Sequence, residues 1–501
     1  MLPGQHQLAY PARKREVMRR LLLAATLLAF PTWAQTPFRA TRKATNPNAP
    51  AFSAHQYNQN RASKANSARP NAEVGRAQAA EAGVVHGIQP DTLKVPADGA
   101  DDAPSIQRAI TAACGTAFPN VVFQARHYAL NSTVTQSCAV NWIGQGWREQ
   151  NPVPAAAPGT WFDIGPAFIG TAGSPITITR DSTGSTLRGI GFTEPGQPSR
   201  PTPIMSGSIV TGWAPATWTP AAYAPVLTIN GAPGVTVRDV MLLGVNAGMV
   251  CAGSGRCDFE NIRGQVFAYA LNIQTAYDVS RIRDVHAWPY WSAADPVMQW
   301  QQANASVIIS YRNDTPMWSH LFVFGAKDGV LIAGEPAGST TGLMVDMLSC
   351  DFTQTCIRVD ATAGLATYQI SNLRSYGQVW NTVAGAPITM LPGSSVASFD
   401  GQAVAQIGNA ESYGTDTAVL RFLAATATGA STLHLNSLYT HAERMSTGAV
   451  IASFPSGGSN AATINGSLVT GTPPAGFALT NTGIGQPGIG TLFMPILATV
   501  H

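Results

Sequence analysis

The sequence predicts an all-β solenoid in which short strands stack coil upon coil behind one N-terminal capping helix. Three observations carry that expectation. The 501 residues include only 30 Lys or Arg and 27 Asp or Glu, so 11% are charged against roughly 25% in ordinary proteins. Gly (48) and Pro (35) are abundant and break the chain after residue 120 into short β-prone runs. The pattern apolar-Arg-Gly/Asp recurs as Leu187-Arg188-Gly189, Val237-Arg238-Asp239, Ile262-Arg263-Gly264 and Ile282-Arg283-Asp284. These intervals fit one or two coils of a solenoid, where each coil leaves an apolar face exposed until the next one covers it. The composition excludes a long charged coiled coil, and 45% apolar residues exclude wholesale disorder.

Residues 1–34 read as an export signal. Arg13, Lys14, Arg15, Arg19 and Arg20 precede the apolar run Leu21 to Phe30, and Thr32-Trp33-Ala34 offers small residues for cleavage before Gln35. A bilayer span needs about 20 apolar residues, so this run is too short, and no later stretch is better. Met18 begins a complete signal of its own, and Arg19-Arg20 leaves general secretory and twin-arginine export both open. Residues 35–85, rich in Asn, Ala, Ser, Gln, Pro and Arg, form a basic linker with too few large aliphatics to fold. The expected location is periplasmic or secreted.

Charge agrees with this division. Residues 1–85 hold 12 basic and 3 acidic side chains and the remainder 18 and 24, so the formal +3 separates into +9 and −6. The folded part offers no basic stripe and no zinc-finger or helix-turn-helix motif, so no nucleic-acid partner is expected. The six cysteines fall into local pairs, Cys114 with Cys138, Cys251 with Cys257 and Cys350 with Cys356. Their spacing does not match a zinc clip, which leaves disulfides of an exported protein or buried free thiols. No metal or cofactor is expected.

The folded region starts near Lys94. Asp101 or Asp102 can cap a helix in which Pro104 suits the first turn and Ile106, Ala109, Ile110 and Ala113 line one face. Strand-like runs follow at Val121-Val122-Phe123, Tyr128-Ala129-Leu130 and Val140 to Ile143, and then a Gly144-x-Gly146 turn. An Asp-Gly strand end, an Asp-Asp cap, Ile-Gln-x-Ala-Ile, Val-x-Phe-x-x-x-x-Tyr-x-Leu and Gly-x-Gly, over residues 94–146, resemble the N-terminal signature of the pectate lyase superfamily. The resemblance implies a right-handed parallel β-helix, a scaffold that hosts polygalacturonase-like enzymes and phage tailspikes. Gln124 and Arg126 stand where that family commonly has Pro and Gly, so an altered turn is expected there. The β-helix domain is expected over 86–395. Residues 396–501 are expected to add further coils and a β-rich cap; the Gly-rich tail suits either a C-terminal cap or a homo-oligomer contact.

The family's catalytic motifs do not transfer. Asn313-Asp314-Thr315 has the wrong order for Asn-Thr-Asp, Arg281-Ile282-Arg283 only echoes Arg-Ile-Lys, and the Arg-x-Pro-x-x-Arg pattern of calcium-dependent pectate lyases is missing from the folded region. The residues themselves nominate Asp284, His286, Asp314 and Asp351 as proton-transfer groups. Trp288, Tyr290, Trp291 and Arg312 are nominated as surfaces for sugar rings and carboxylates. The repeat spacing places His286 in an apolar column with Gly191, Met241 and Val266. Asp284 suits a turn as well as it suits catalysis, and the aromatics suit packing as well as binding. Two function classes follow: an exported hydrolase or lyase acting on an acidic polysaccharide, and a non-catalytic polysaccharide-binding or surface solenoid.

Overall fold

The computed structural model describes residues 86–148, 158–423, 430–455, 460–472, 474–480 and 491–493. The export signal, the linker and most of the Gly-rich tail lie outside these residues. Among the described residues, 26 strands join through parallel pairings, and two more, Thr202–Ser206 and Ile209–Ala214, form an antiparallel hairpin. No helix in this region is long and apolar enough to cross a membrane.

Helix α1, Ala103–Ala113, closes the first coil with Ala103, Ile106, Ala109, Ile110 and Ala113 buried. The two aspartates before it divide the work. Asp101 accepts from Ala103 N at 3.1 Å and from Asn131 N at 3.0 Å. Asp102 occupies the N-cap, but its carboxylate faces away from the helix and takes Lys94 Nζ at 2.6 Å, Arg126 Nη2 at 3.0 Å and Ala129 N at 2.9 Å. Arg126 also pairs with Asp91 and lies 3.7 Å over the Tyr128 ring. A glycine at position 126 could make none of these contacts, so the altered turn fastens the cap to the first coil.

Each later coil adds one strand to each of two main ladders. One ladder runs through Thr186–Thr193, Thr236–Ala252, Asp258–Gln274, Arg281–Ala287, Met317–Phe324, Leu343–Asp351, Ala366–Tyr376, Ala403–Ser412 and Thr432–His441. The other passes through Ser306–Ser310, Asp328–Ile332, Thr355–Val359, Ser395–Phe399, Ala418–Phe422 and Val450–Ser453. Pairing therefore continues across residue 395. Inward positions stack like on like: Ile190, Val240, Ile262, Val285, Leu321, Leu348 and Leu373 form one buried column. Phe399, Phe422 and Phe454 form another, with ring centroids 4.7 and 4.8 Å apart.

The recurring Gly/Asp has a backbone cause. Gly189, Asp239, Asn261, Asp284 and His320 all have φ between +53° and +69° and fill the same corner of successive coils. Gly, Asn and Asp tolerate that left-handed conformation best. In the third coil of the series the corner residue is Asn261, in Phe259-Glu260-Asn261, so Ile262-Arg263-Gly264 stands three positions out of the expected register. The column beside His286 is therefore Gly191, Met241 and Arg263, with Phe322 beyond, and not Val266.

All three cysteine pairs are disulfides. Cys114–Cys138 ties the end of α1 to the first coils. The other two staple strand-to-strand turns.

Candidate functional site

An outward-facing cleft of about 310 Å³ lies on the first coils, lined by His127, Trp161, Asp163, Thr193, Glu194, Arg200, Leu243 and Trp291 among others. Alternation within short strands builds it. Phe162 and Ile164 point into the core, so Trp161 and Asp163 point out. Register then sets His127 beside Trp161, Trp161 beside Gly191, and Asp163 beside Thr193. Gly191 is required here because a Cβ would sit 2.3 Å from Trp161 Cε3. The bare position lets the indole lie flat, stacked on the His127 ring with centroids 6.0 Å apart.

The carboxylate of Asp163 is held on two sides. His127 Nδ1 is 2.9 and 3.0 Å from its two oxygens, and Thr193 Oγ1 donates to Oδ1 at 2.9 Å. Glu194, on the neighbouring coil, is 4% exposed. Its Oε2 accepts from Gln197 Nε2 at 2.6 Å and from Asn246 N at 2.8 Å. Burial pushes this carboxyl well above the usual carboxylate range, and the two hydrogen bonds offset only part of that effect. Three buried polar atoms of the cleft lining have no hydrogen-bond partner: His127 Nε2, Trp161 Nε1 and Glu194 Oε1. Buried polar atoms are usually satisfied, so such a concentration marks a place where a ligand or water belongs.

The far wall is an excursion over residues 195–225 that leaves the coil. Its Arg200 lies 4.9 Å over the Trp291 ring and has no acidic partner among the described residues. Its Trp218 packs on Phe267 and Trp291 at 4.7 and 5.5 Å. Helix α2, Asp295–Asn304, stands behind Trp291. The buried Asp295 anchors the loop after Tyr376 by accepting from Thr382 N and Oγ1.

The residues nominated from sequence divide into two groups. Trp291 lines the cleft, and Tyr290 packs with Trp161, Met241 and Leu243 behind it. His286 Nδ1 is 3.2 Å from the Tyr290 hydroxyl, and Trp288 stacks toward Phe324 with centroids 4.6 Å apart. Asp351 stands on the same outer face beside Phe324; burial raises its pKa and the charge of Arg374 opposes the rise. Asp284 sits exposed at the left-handed corner, 3.9 Å from His320 Nδ1. Arg312 and Asp314 are elsewhere. They pair with each other at 3.2 Å in the turn after Ser306–Ser310, where Arg312 also covers Tyr277 at 4.4 Å. The structure thus brings His286, Trp288, Tyr290 and Trp291 together and separates Arg312 and Asp314 from them.

Sequence reasoning missed Asp163, Glu194, His127, Trp161 and Arg200. Their only local signals were an outward Asp in Trp161-Phe162-Asp163-Ile164 and a Glu before Pro195-Gly196 at a strand end. Partners 30 and 36 residues apart meet only once the coil register is known.

The parallel ladders and corner column define a pectate-lyase-like right-handed β-helix, a fold shared with a solved glucanase domain at a TM-score of 0.50. The catalytic domain of a GH87 alpha-1,3-glucanase in complex with tetrasaccharides is 12% identical with a TM-score of 0.50, covering 79% of this chain and 67% of that one. DFA-IIIase from Arthrobacter chlorophenolicus in complex with DFA-III is 11% identical with a TM-score of 0.37, covering 79% and 96%. The Streptococcus pneumoniae surface protein and adhesin PfbA is 11% identical with a TM-score of 0.24, covering 82% and 100%. At these identities the likeness concerns fold alone. No protein-family model matches the chain, and no curated protein matches it.

Proposed function

We propose that the protein is an exported glycoside hydrolase that cuts a polysaccharide in the cleft of the first coils, with Glu194 as proton donor and Asp163 as the second carboxylate. The observation that carries this reading is Glu194: a buried carboxyl whose surroundings favour its neutral form, with one oxygen unpartnered, lining the same cleft as the held carboxylate of Asp163. Hydrolysis of a glycosidic bond needs one carboxylic acid to protonate the departing oxygen and one carboxylate to act at the sugar carbon, directly or through water. Glu194 fits the first role because burial favours its neutral form. Asp163 fits the second, fixed by His127 and Thr193. The proton given by Glu194 goes to the leaving hydroxyl and is replaced from the water that completes hydrolysis.

The half-buried Trp291 offers an apolar surface to sugar rings, and Trp161, buried against Gly191 and His127, supports the cleft from within. The unpaired Arg200 at the rim suits an acidic sugar. The nominated His286 and Trp288 extend the sugar-contacting face while the buried Tyr290 supports it from behind, and no proton transfer is assigned to Asp284, Arg312 or Asp314. Export to the periplasm or beyond agrees with three disulfides in one chain. A binding-only role is the second reading. The aromatic strip of Trp288, Phe322, Phe324, Phe352 and Trp380 on the same face favours it.

The deciding experiment incubates the purified protein with polygalacturonate and with carboxymethyl α-1,3-glucan. It follows reducing-end release together with absorbance of unsaturated products. Reducing ends without unsaturation, abolished by Glu194→Gln, are expected. Retention of polymer with no new ends would leave the binding-only reading, and unsaturated products would replace hydrolysis by elimination.

A further inference from the structure

The cleft occupies one end of a continuous outward column. From Gly191 it steps through Met241, Arg263, His286, Phe322, Ser349 and Arg374 to Glu411 and then Tyr439. Gly191 to Glu411 is seven strand steps, about 34 Å at ~4.8 Å per step. At that far end a second groove, of about 460 Å³, opens on the same face.

Its chemistry differs from that of the flanking surface. Asn372, Asn409 and Ser437 occupy one column and are linked by hydrogen bonds, Asn409 Nδ2 donating to Asn372 Oδ1 at 3.0 Å and Ser437 Oγ to Asn409 Oδ1 at 2.7 Å. In the next outward column Arg374 and Glu411 lie 3.8 Å apart and largely neutralise one another, and Tyr439 stands beside Glu411. A ladder of exposed amides and a hydroxyl, flanked by a phenol and a balanced charge pair, suits uncharged hydroxyl groups repeating along a polymer. It does not suit a single ion.

We infer that this groove on the C-terminal coils is a distal binding site for the same polysaccharide chain that enters the cleft, so that the true substrate is a polymer laid along the solenoid axis rather than a short oligosaccharide. The cleft end of this inference rests on the proposed function; the distal groove stands on its own residues. A segment filling only the cleft leaves the far groove empty, whereas a polymer pays the entropy of association once and gains both sets of contacts.

The test compares the full-length protein with the double variant Asn409→Ala/Tyr439→Ala and with Tyr439→Phe, each shown to melt like wild type. Affinity electrophoresis in polygalacturonate and in carboxymethyl α-1,3-glucan reads polymer binding; reducing-end release from the corresponding tetrasaccharides reads the cleft. The expected result is a loss of polymer affinity of about fivefold or more in the double variant, unchanged tetrasaccharide turnover, and near-wild-type retention for Tyr439→Phe. Equal retention of wild type and double variant, or no retention of wild type by either polymer, overturns the distal site. Retention that falls in the double variant while no tetrasaccharide is cut by any form overturns hydrolysis and leaves the distal site standing.

Discussion

Glu194 ties the stability of the fold to its proposed chemistry, and pH separates the two. Its folded-state pKa lies above the ordinary 4.5. Below that value the carboxyl is protonated in both states and favours neither. As pH rises from the unfolded value toward the folded one, the unfolded chain gives up the proton while the folded chain keeps it, so stability falls. Glu194→Gln keeps the acceptor for Gln197 and Asn246 and has no proton to lose. Its melting temperature should therefore exceed that of the native chain by a margin that opens above about pH 4.5 and widens with pH; parallel melting curves across pH would remove the buried-acid assignment. The same variant should lower turnover about 100-fold or more, as loss of a general acid does, and should erase the alkaline limb of the pH–rate profile. A second residue-level test concerns Gly191. A methyl group there collides with the Trp161 ring, so Gly191→Ala should displace the indole and reduce kcat/KM about tenfold or more with the fold intact, checked by tryptophan fluorescence and circular dichroism. An unchanged kcat/KM would mean that the placement of the buried Trp161 indole does not matter to the cleft.

Within a coil, the corner determines what Asp284 is for. Its φ of +55° costs an ordinary residue roughly 1–2 kcal/mol, while Gly adopts it freely. Asp284→Gly should therefore leave melting and turnover near native, and Asp284→Val should destabilise the protein by about 1–2 kcal/mol; urea titration and reducing-end release check both. A hundredfold loss of turnover in Asp284→Gly would instead return the residue to the chemistry. This element also shows what could be read in advance. Gly189, Asp239 and Asp284 were visible as a repeat because the left-handed corner restricts residue type at one position per coil. The register of the Asp258–Gln274 coil was not visible, because Asn261 fills the corner there and Ile262-Arg263-Gly264 imitates the motif three residues later. The cap was legible in its helix face, yet Asp102 turned out to serve Arg126 and Lys94 because a carboxylate 4% exposed on its side chain is better compensated by two cations than by helix amides alone. The cleft was illegible for a related reason: alternation tells which way Asp163 points, and nothing local tells which residue stacks on it.

Across the whole molecule, a solenoid couples only neighbouring coils, so damage spreads from an end rather than everywhere at once. The cleft lies on the first coils, directly after the cap that Cys114–Cys138 and the Arg126–Asp102 pair hold in place. Closing the 24-residue separation of Cys114 and Cys138 restricts the unfolded chain by about 3 kcal/mol, against about 2 kcal/mol for a bond spanning six residues such as Cys350–Cys356. The larger difference should be spatial. Replacing Cys114 and Cys138 by Ser should let α1 and the strands up to Thr193 open before the remaining coils, so activity should fade at a lower temperature than the main β-sheet transition. Hydrogen exchange should accelerate in residues 103–193 while the coils from Ser306 onward stay protected. Replacing Cys350 and Cys356 should lower the main transition without separating it from the loss of activity. A cap variant in which activity and sheet structure disappear together, with exchange rising uniformly along the chain, would mean that the coils melt as one unit and that the cleft does not depend on its cap.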